Sequence, residues 1–148
     1  MVRAGPAIGV ILVFMNNFLT IAQMLILGFL AGVSPLLTLG LNGALIGMIF
    51  ALAAGEGIAL LPLLVFGILP HGIFELFAFF LCGALGLKLG FHCVISPLPG
   101  KNRLQSFTSI WKEVFSVLPL VLALLLLAAL VELLVTPKLL GLFFEMPF

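Results

Sequence analysis

His71 and Glu75 are the residues of this chain best placed to do chemistry, four apart in the stretch LPHGIFEL, residues 69–76. On a helix that spacing puts an imidazole and a carboxylate on one face, a turn apart. Such a pair can serve as a proton relay, half of a metal site, a general acid and base, or a structural clamp. The clamp has the simplest physical basis. Pro70 suits the first turn of a helix, and a negative charge such as Glu75 is favoured near a helix N-terminus. Gly72, between them, predicts the close approach of a neighbouring backbone.

Other templates for catalysis fail. The sequence has no HExxH, no GxSxG and no phosphate-binding loop, and it contains no Asp to complete an acid pair or a Ser-His-Asp triad. Ser34 and Ser96 fall in predicted turns without an activating neighbour. His71 and Glu75 offer two ligands where zinc takes three or four, and nothing in the spacing of His92 or Glu56 recruits them. Cys82 and Cys93 lack CxxC spacing, so neither a disulfide framework nor a zinc site is expected. The reading is therefore of a non-enzyme with no catalytic residue, no metal and no cofactor.

The elements that must position this pair are membrane helices. Of 148 residues, 64% are hydrophobic and only 7% are charged, with a mean hydropathy of +1.46; soluble domains carry roughly a quarter of charged residues. The apolar residues come in long blocks, which predicts an all-α, polytopic transmembrane bundle forming a single domain. The net charge of +1 comes without a basic stripe, so nucleic acid is not an expected partner. Arg3 ahead of an apolar block resembles a signal peptide, but a small-x-small cleavage site before Asn16-Asn17 is lacking.

Four spans are predicted, at about 14–33, 36–54, 71–91 and 116–135, each near the ~20 residues a helix needs to cross. Residues 5–14 read as an interfacial lead-in, and the VSP at 33–35 as a turn. The apolar run 58–69 is too short to cross, at about 18 Å for ~1.5 Å per residue, and Pro62 interrupts it. Residues 57–69 are therefore expected to re-enter or lie as a half-helix. Between the last two spans, Leu104, Phe107, Ile110, Trp111, Val114 and Phe115 recur at helical spacing behind an Asn102/Gln105 capping box. This predicts an amphipathic helix over 102–114, lying in the interface with Trp111 at headgroup level.

Lys101, Arg103 and Lys112 make the 92–113 loop the most basic segment, with Lys88 beside it. The positive-inside rule places that loop in the cytoplasm of a cell-membrane protein and, with four crossings, both termini outside. Asn16, Thr20 and Gln23 share a helical face that should turn inward, and Asn42 and Glu132 add intramembrane polar groups. Small residues repeat every fourth position at Gly28/Gly32, Gly43/Gly47 and Gly86/Gly90. In lipid such stripes let helix backbones pack closely, which predicts a compact bundle or a homo-oligomer.

The paired asparagines at 16–17, the Gly28/Gly32 repeat, LNGALIG at 41–47 and LPHGIFELFAFFLCGALGLKLG at 69–90 together resemble the stage II sporulation protein M family. The resemblance covers residues 14–135 and maps the family pattern onto Asn16, Asn17, Asn42, Gly43, Pro70, His71, Gly72 and Glu75. It implies a short form, without the N-terminal span and outer segment usual before the asparagines. It also implies a membrane scaffold or accessory protein, since the namesake anchors cell-wall hydrolases during engulfment. The expected partners are the lipid bilayer, further copies of the chain and a membrane or cell-envelope protein. The rival reading is a small permease or channel with His71 and Glu75 as proton or substrate sites and Asn42 and Gln23 lining a path. A third, an intramembrane hydrolase, lacks a nucleophile.

Overall fold

The computed structural model describes residues 6–30 and 32–144, so Arg3 of the charge balance lies outside the described residues. The fold is all helical. Helix α1 (Pro6–Ile26) tightens into a 3-10 turn at Leu27–Phe29. Helix α2 (Val33–Gly55) follows, then α3 (Leu60–Ile95), α4 (Arg103–Leu134) and a short α5 (Thr136–Phe144). Four stretches are long and apolar enough to cross a membrane: Pro6–Phe29, Val33–Gly55, Leu60–Ile95 and Arg103–Leu142. Joined by short connections, they run alternately up and down.

The core forms where α1, α3 and α4 meet. Ile21 and Leu25 of α1, Phe79, Cys82 and Leu85 of α3, and Val114, Val121 and Leu125 of α4 make one buried cluster. Helix α2 stands apart, packing on α3 and on α1 and its last turn, with only 6% of its most apolar stretch buried. The last helix, α5, folds back so that Leu140 packs over Gly67 of α3.

Three expected boundaries move, each for a local reason. The segment 57–69 and the span 71–91 are one helix, not a re-entrant piece followed by a crossing. Pro70 has no N–H to give and its ring crowds the carbonyl four residues back; the chain answers with wide π-type turns over Leu63–Ile68 and continues. Residues 102–114 likewise do not lie apart from the last span. The capping box forms as expected, with Gln105 N donating to Asn102 Oδ1 at 2.8 Å and Asn102 N to Gln105 Oε1 at 3.0 Å. The helix it starts then runs through Pro119 to Leu134 without a break. Ser106, Ile110 and Val114 face the interior, while Leu104, Phe107 and Phe115 are exposed.

The turn expected at 33–35 falls one step earlier. Gly32 takes a left-handed conformation at φ 75°, which glycine adopts without steric cost, and Pro35 already lies in the first turn of α2. The asparagine pair does not interrupt α1. The helices are also of unequal length. Spans α1 and α2 have 24 and 23 residues, against 36 for α3; at ~1.5 Å per residue the first two match the ~30 Å hydrocarbon layer and the third exceeds it by about 24 Å.

Candidate functional site

The polar side chains of the spans gather where the middle of α1, the first half of α3 and the junction of α4 with α5 meet. Glu75 accepts a hydrogen bond from Asn17 Nδ2 of α1. His71 reaches the other way: its Nδ1 lies 3.3 Å from Thr136 Oγ1 at the start of α5. Thr136 Oγ1 also lies 3.2 Å from the carbonyl of Val131. His71 Nδ1 and the Val131 carbonyl are both within hydrogen-bond distance of the Thr136 hydroxyl, whose single hydrogen can serve either. Glu132 lies one turn before Thr136 on α4.

The expected clamp between His71 and Glu75 is thus replaced by two bonds to different helices. Their i, i+4 spacing does put them on one face, but the partners on either side, Asn17 and Thr136, satisfy them separately. Pro70 stands in the first turn of the α-helical stretch Leu69–Gly90, as expected, but the chain is already helical before it through the wide turns. Gly72 is buried, but its surroundings are the Ile68 side chain of its own helix at 3.5 Å. No neighbouring backbone approaches it.

Asn42 of α2 donates to the carbonyl of Thr38 in its own helix, at 2.9 Å. It faces His71 and Glu75 across a cleft of about 180 Å³ between α2 and α3, walled by Leu45, Ile49 and Phe79. The inward face expected of Asn16, Thr20 and Gln23 is not the one buried. Asn17 is the buried asparagine, at 8% exposure, while Asn16 and Gln23 are exposed. Asn16 supports its neighbour through a long 3.4 Å contact to Asn17 Oδ1. Gln23 lines a separate groove with Ser34 and Thr38 at the turn between α1 and α2, where Ser34 Oγ is buried without a hydrogen-bond partner among the described residues.

The glycines divide into two sets. Gly28 and Gly86 meet backbone to backbone: a Cβ on Gly28 would lie 2.6 Å from the Gly86 carbonyl oxygen. Gly32 sits against Leu87, and Gly90 is buried on the same stretch of α3. Gly43 and Gly47 of α2, with Gly40, have no atom within 4 Å of the Cβ position. Their face packs against nothing among the described residues.

Sequence reasoning overlooked Thr136 as a partner. Its signal was the i, i+4 spacing of Glu132 and Thr136, which repeats that of His71 and Glu75. The ion pair of Lys88 with Glu113, at 2.7 Å, was also missed, though both residues lie near the same basic turn. Among the described residues, no group of three or more His, Cys, Asp or Glu is placed to hold a metal.

The family model described as stage II sporulation protein M matches residues 4–137, nearly the whole chain. The chain belongs to that family, and it is a multi-pass membrane protein. No curated protein and no solved structure matches it.

Proposed function

We propose that this member of the stage II sporulation protein M family is a non-enzymatic membrane scaffold, recruiting another helix through α2. The observation that carries the reading is the open face of Gly40, Gly43 and Gly47, which none of the described residues covers. Between helices in lipid there is no hydrophobic driving force, so association rests on close van der Waals packing, and small residues permit it. The core of α1, α3 and α4 already uses that device internally, where Gly28 meets Gly86. Helix α2 carries the same residue type on the outside. Its occupant is a second copy of the chain or a helix of a cell-envelope partner, with the 96–102 turn in the cytoplasm of the cell membrane.

The test is crosslinking in native membranes from cysteines at positions 43 and 47, followed by mass spectrometry of the captured species. The scaffold reading expects a self-adduct or one specific second protein from both positions, lost on Gly47→Leu. Uncrosslinked monomer at both positions refutes it.

The carrier reading keeps one observation in its favour. Ser34, Thr38 and Asn42 stand one turn apart along α2, the first two on the Gln23 groove and the third on the His71–Glu75 cleft.

A further inference from the structure

The groove between the end of α1 and the start of α2, of about 460 Å³, is lined by three polar side chains: Gln23, Ser34 and Thr38. None of the three makes a side-chain hydrogen bond to a described residue. Ser34 Oγ is fully buried in that condition, and Thr38 is only 8% exposed. The remaining walls are aliphatic, Leu27, Leu30, Val33, Leu37 and Leu41, and no ionisable side chain is among them.

A hydroxyl or amide enclosed by hydrocarbon and left unbonded is costly, so the groove is incomplete without an occupant that bonds to it. Its depth narrows the choice. Gln23 precedes the end of its span at Phe29 by about 9 Å, and Thr38 follows the start of its span at Val33 by about 8 Å, at ~1.5 Å per residue. A span of 24 residues is a little longer than the ~30 Å hydrocarbon layer. Both side chains therefore stand just beneath the hydrocarbon edge, under the ester groups of the lipids. An ion would find no countercharge here. A partner helix is a poor fit as well, because helices in lipid meet through small residues and these walls are large and branched. A flexible acyl chain fits between such side chains, and its ester oxygen is an acceptor for an O–H or N–H. Thr38 and Gln23 offer those hydrogens at the groove, and Ser34, which turns about a single side-chain bond, offers a third.

We propose that this groove holds a diacyl glycerolipid, its ester carbonyls accepting from Thr38, Gln23 and Ser34 and an acyl chain resting on Leu27, Leu37 and Leu41. Thr38 and Gly47 point to opposite sides of α2, about 2.5 turns apart, so the site does not depend on what covers the glycine face.

The experiment is native mass spectrometry of the full chain in detergent, titrated with a diester phosphatidylcholine and with its diether analogue of equal chain length, which lacks the carbonyls. One saturable molecule of the diester is expected, with the diether bound about three- to tenfold more weakly, the loss of one neutral hydrogen bond. Thr38→Val should weaken the diester by a similar factor and leave the diether unchanged. That variant keeps the fold, because the hydroxyl it removes bonds to none of the described residues and the Thr38 carbonyl still accepts from Asn42. Gly47→Leu should leave lipid affinity as it is. Absence of saturable lipid, equal affinity for diester and diether, an unaffected diester in Thr38→Val, or loss of the lipid in Gly47→Leu would each overturn the proposal.

Discussion

Gly28 and Gly86 are in backbone contact: a methyl group on either would strike the main chain of the opposing segment, at 2.6 Å from the Gly86 oxygen or 2.7 Å from the Met24 oxygen. Backbone cannot turn aside as a side-chain tip can. The end of α1 is thereby fixed against one level of α3, and the turn into α2 is fixed with it through Pro35, 2.8 Å from the same Gly86 position.

Gly86→Ala should therefore destabilise the bundle by about 1–3 kcal/mol, the ordinary range for overpacking. Gly43→Ala should leave the stability of the isolated chain unchanged or raise it by up to about 1 kcal/mol, because Ala is the better helix former and the position is open. Thermal unfolding of the two variants in the same detergent makes the comparison. Equal losses would mean that α2 packs differently from the arrangement described.

Asn17 and Glu75 should couple. Removing the amide with Asn17→Ala is expected to cost about 0.5–2 kcal/mol, the range for interhelical hydrogen bonds in membranes. Glu75→Gln should cost less, because its amide oxygen still accepts. A double-mutant cycle of Asn17→Ala with Glu75→Ala isolates the pair, and a coupling energy indistinguishable from zero would refute the bond.

Thr136→Val removes the hydroxyl that bridges His71 and the Val131 carbonyl. The change should loosen the junction of α4 and α5 locally, at about 1 kcal/mol, with little effect at Gly86. Hydrogen exchange should quicken over residues 131–140 and not over 80–90. Uniform acceleration across both stretches would show that the junction is not a local element.

Topology has its own test. Cysteine in place of Lys101 should react with a membrane-impermeant maleimide only from the cytoplasmic side, and cysteine in place of Glu56 only from the outer side, both in a Cys93→Ser background. Both positions are exposed turn residues. Labelling of both from one side would remove a crossing from the scheme.

What could be read in the sequence depended on the range of the interaction. The capping box at Asn102 and Gln105 was legible because it is completed within four residues. The four crossings were legible because length and hydropathy decide them. The small-residue spacing announced that Gly28 and Gly86 would pack, though not that they would pack on each other or that Gly43 and Gly47 would stay open. Prolines misled at Pro70, since a break and a wide turn accommodate the missing donor equally well, and the chain takes the wide turn. For the polar site the residue types were evident and the partners were not. Asn16 and Asn17 differ by about 100° around α1, and the direction of the core settled which of them meets Glu75.

The unequal helix lengths have a mechanical consequence. Past Gly86, α3 and the facing start of α4 pack mainly on each other, with the turn after α1 touching α3 at Phe91–Ile95. Lys88 and Glu113 bridge this pair just past the level of Gly86, and the exposed charges of Lys101, Arg103 and Lys112 lie on it. The bundle therefore has a stem: a two-helix post, rooted in the core by Leu85 and Val114. A pull at its tip is carried into the core along α3 and α4, past the Gly28–Gly86 crossing.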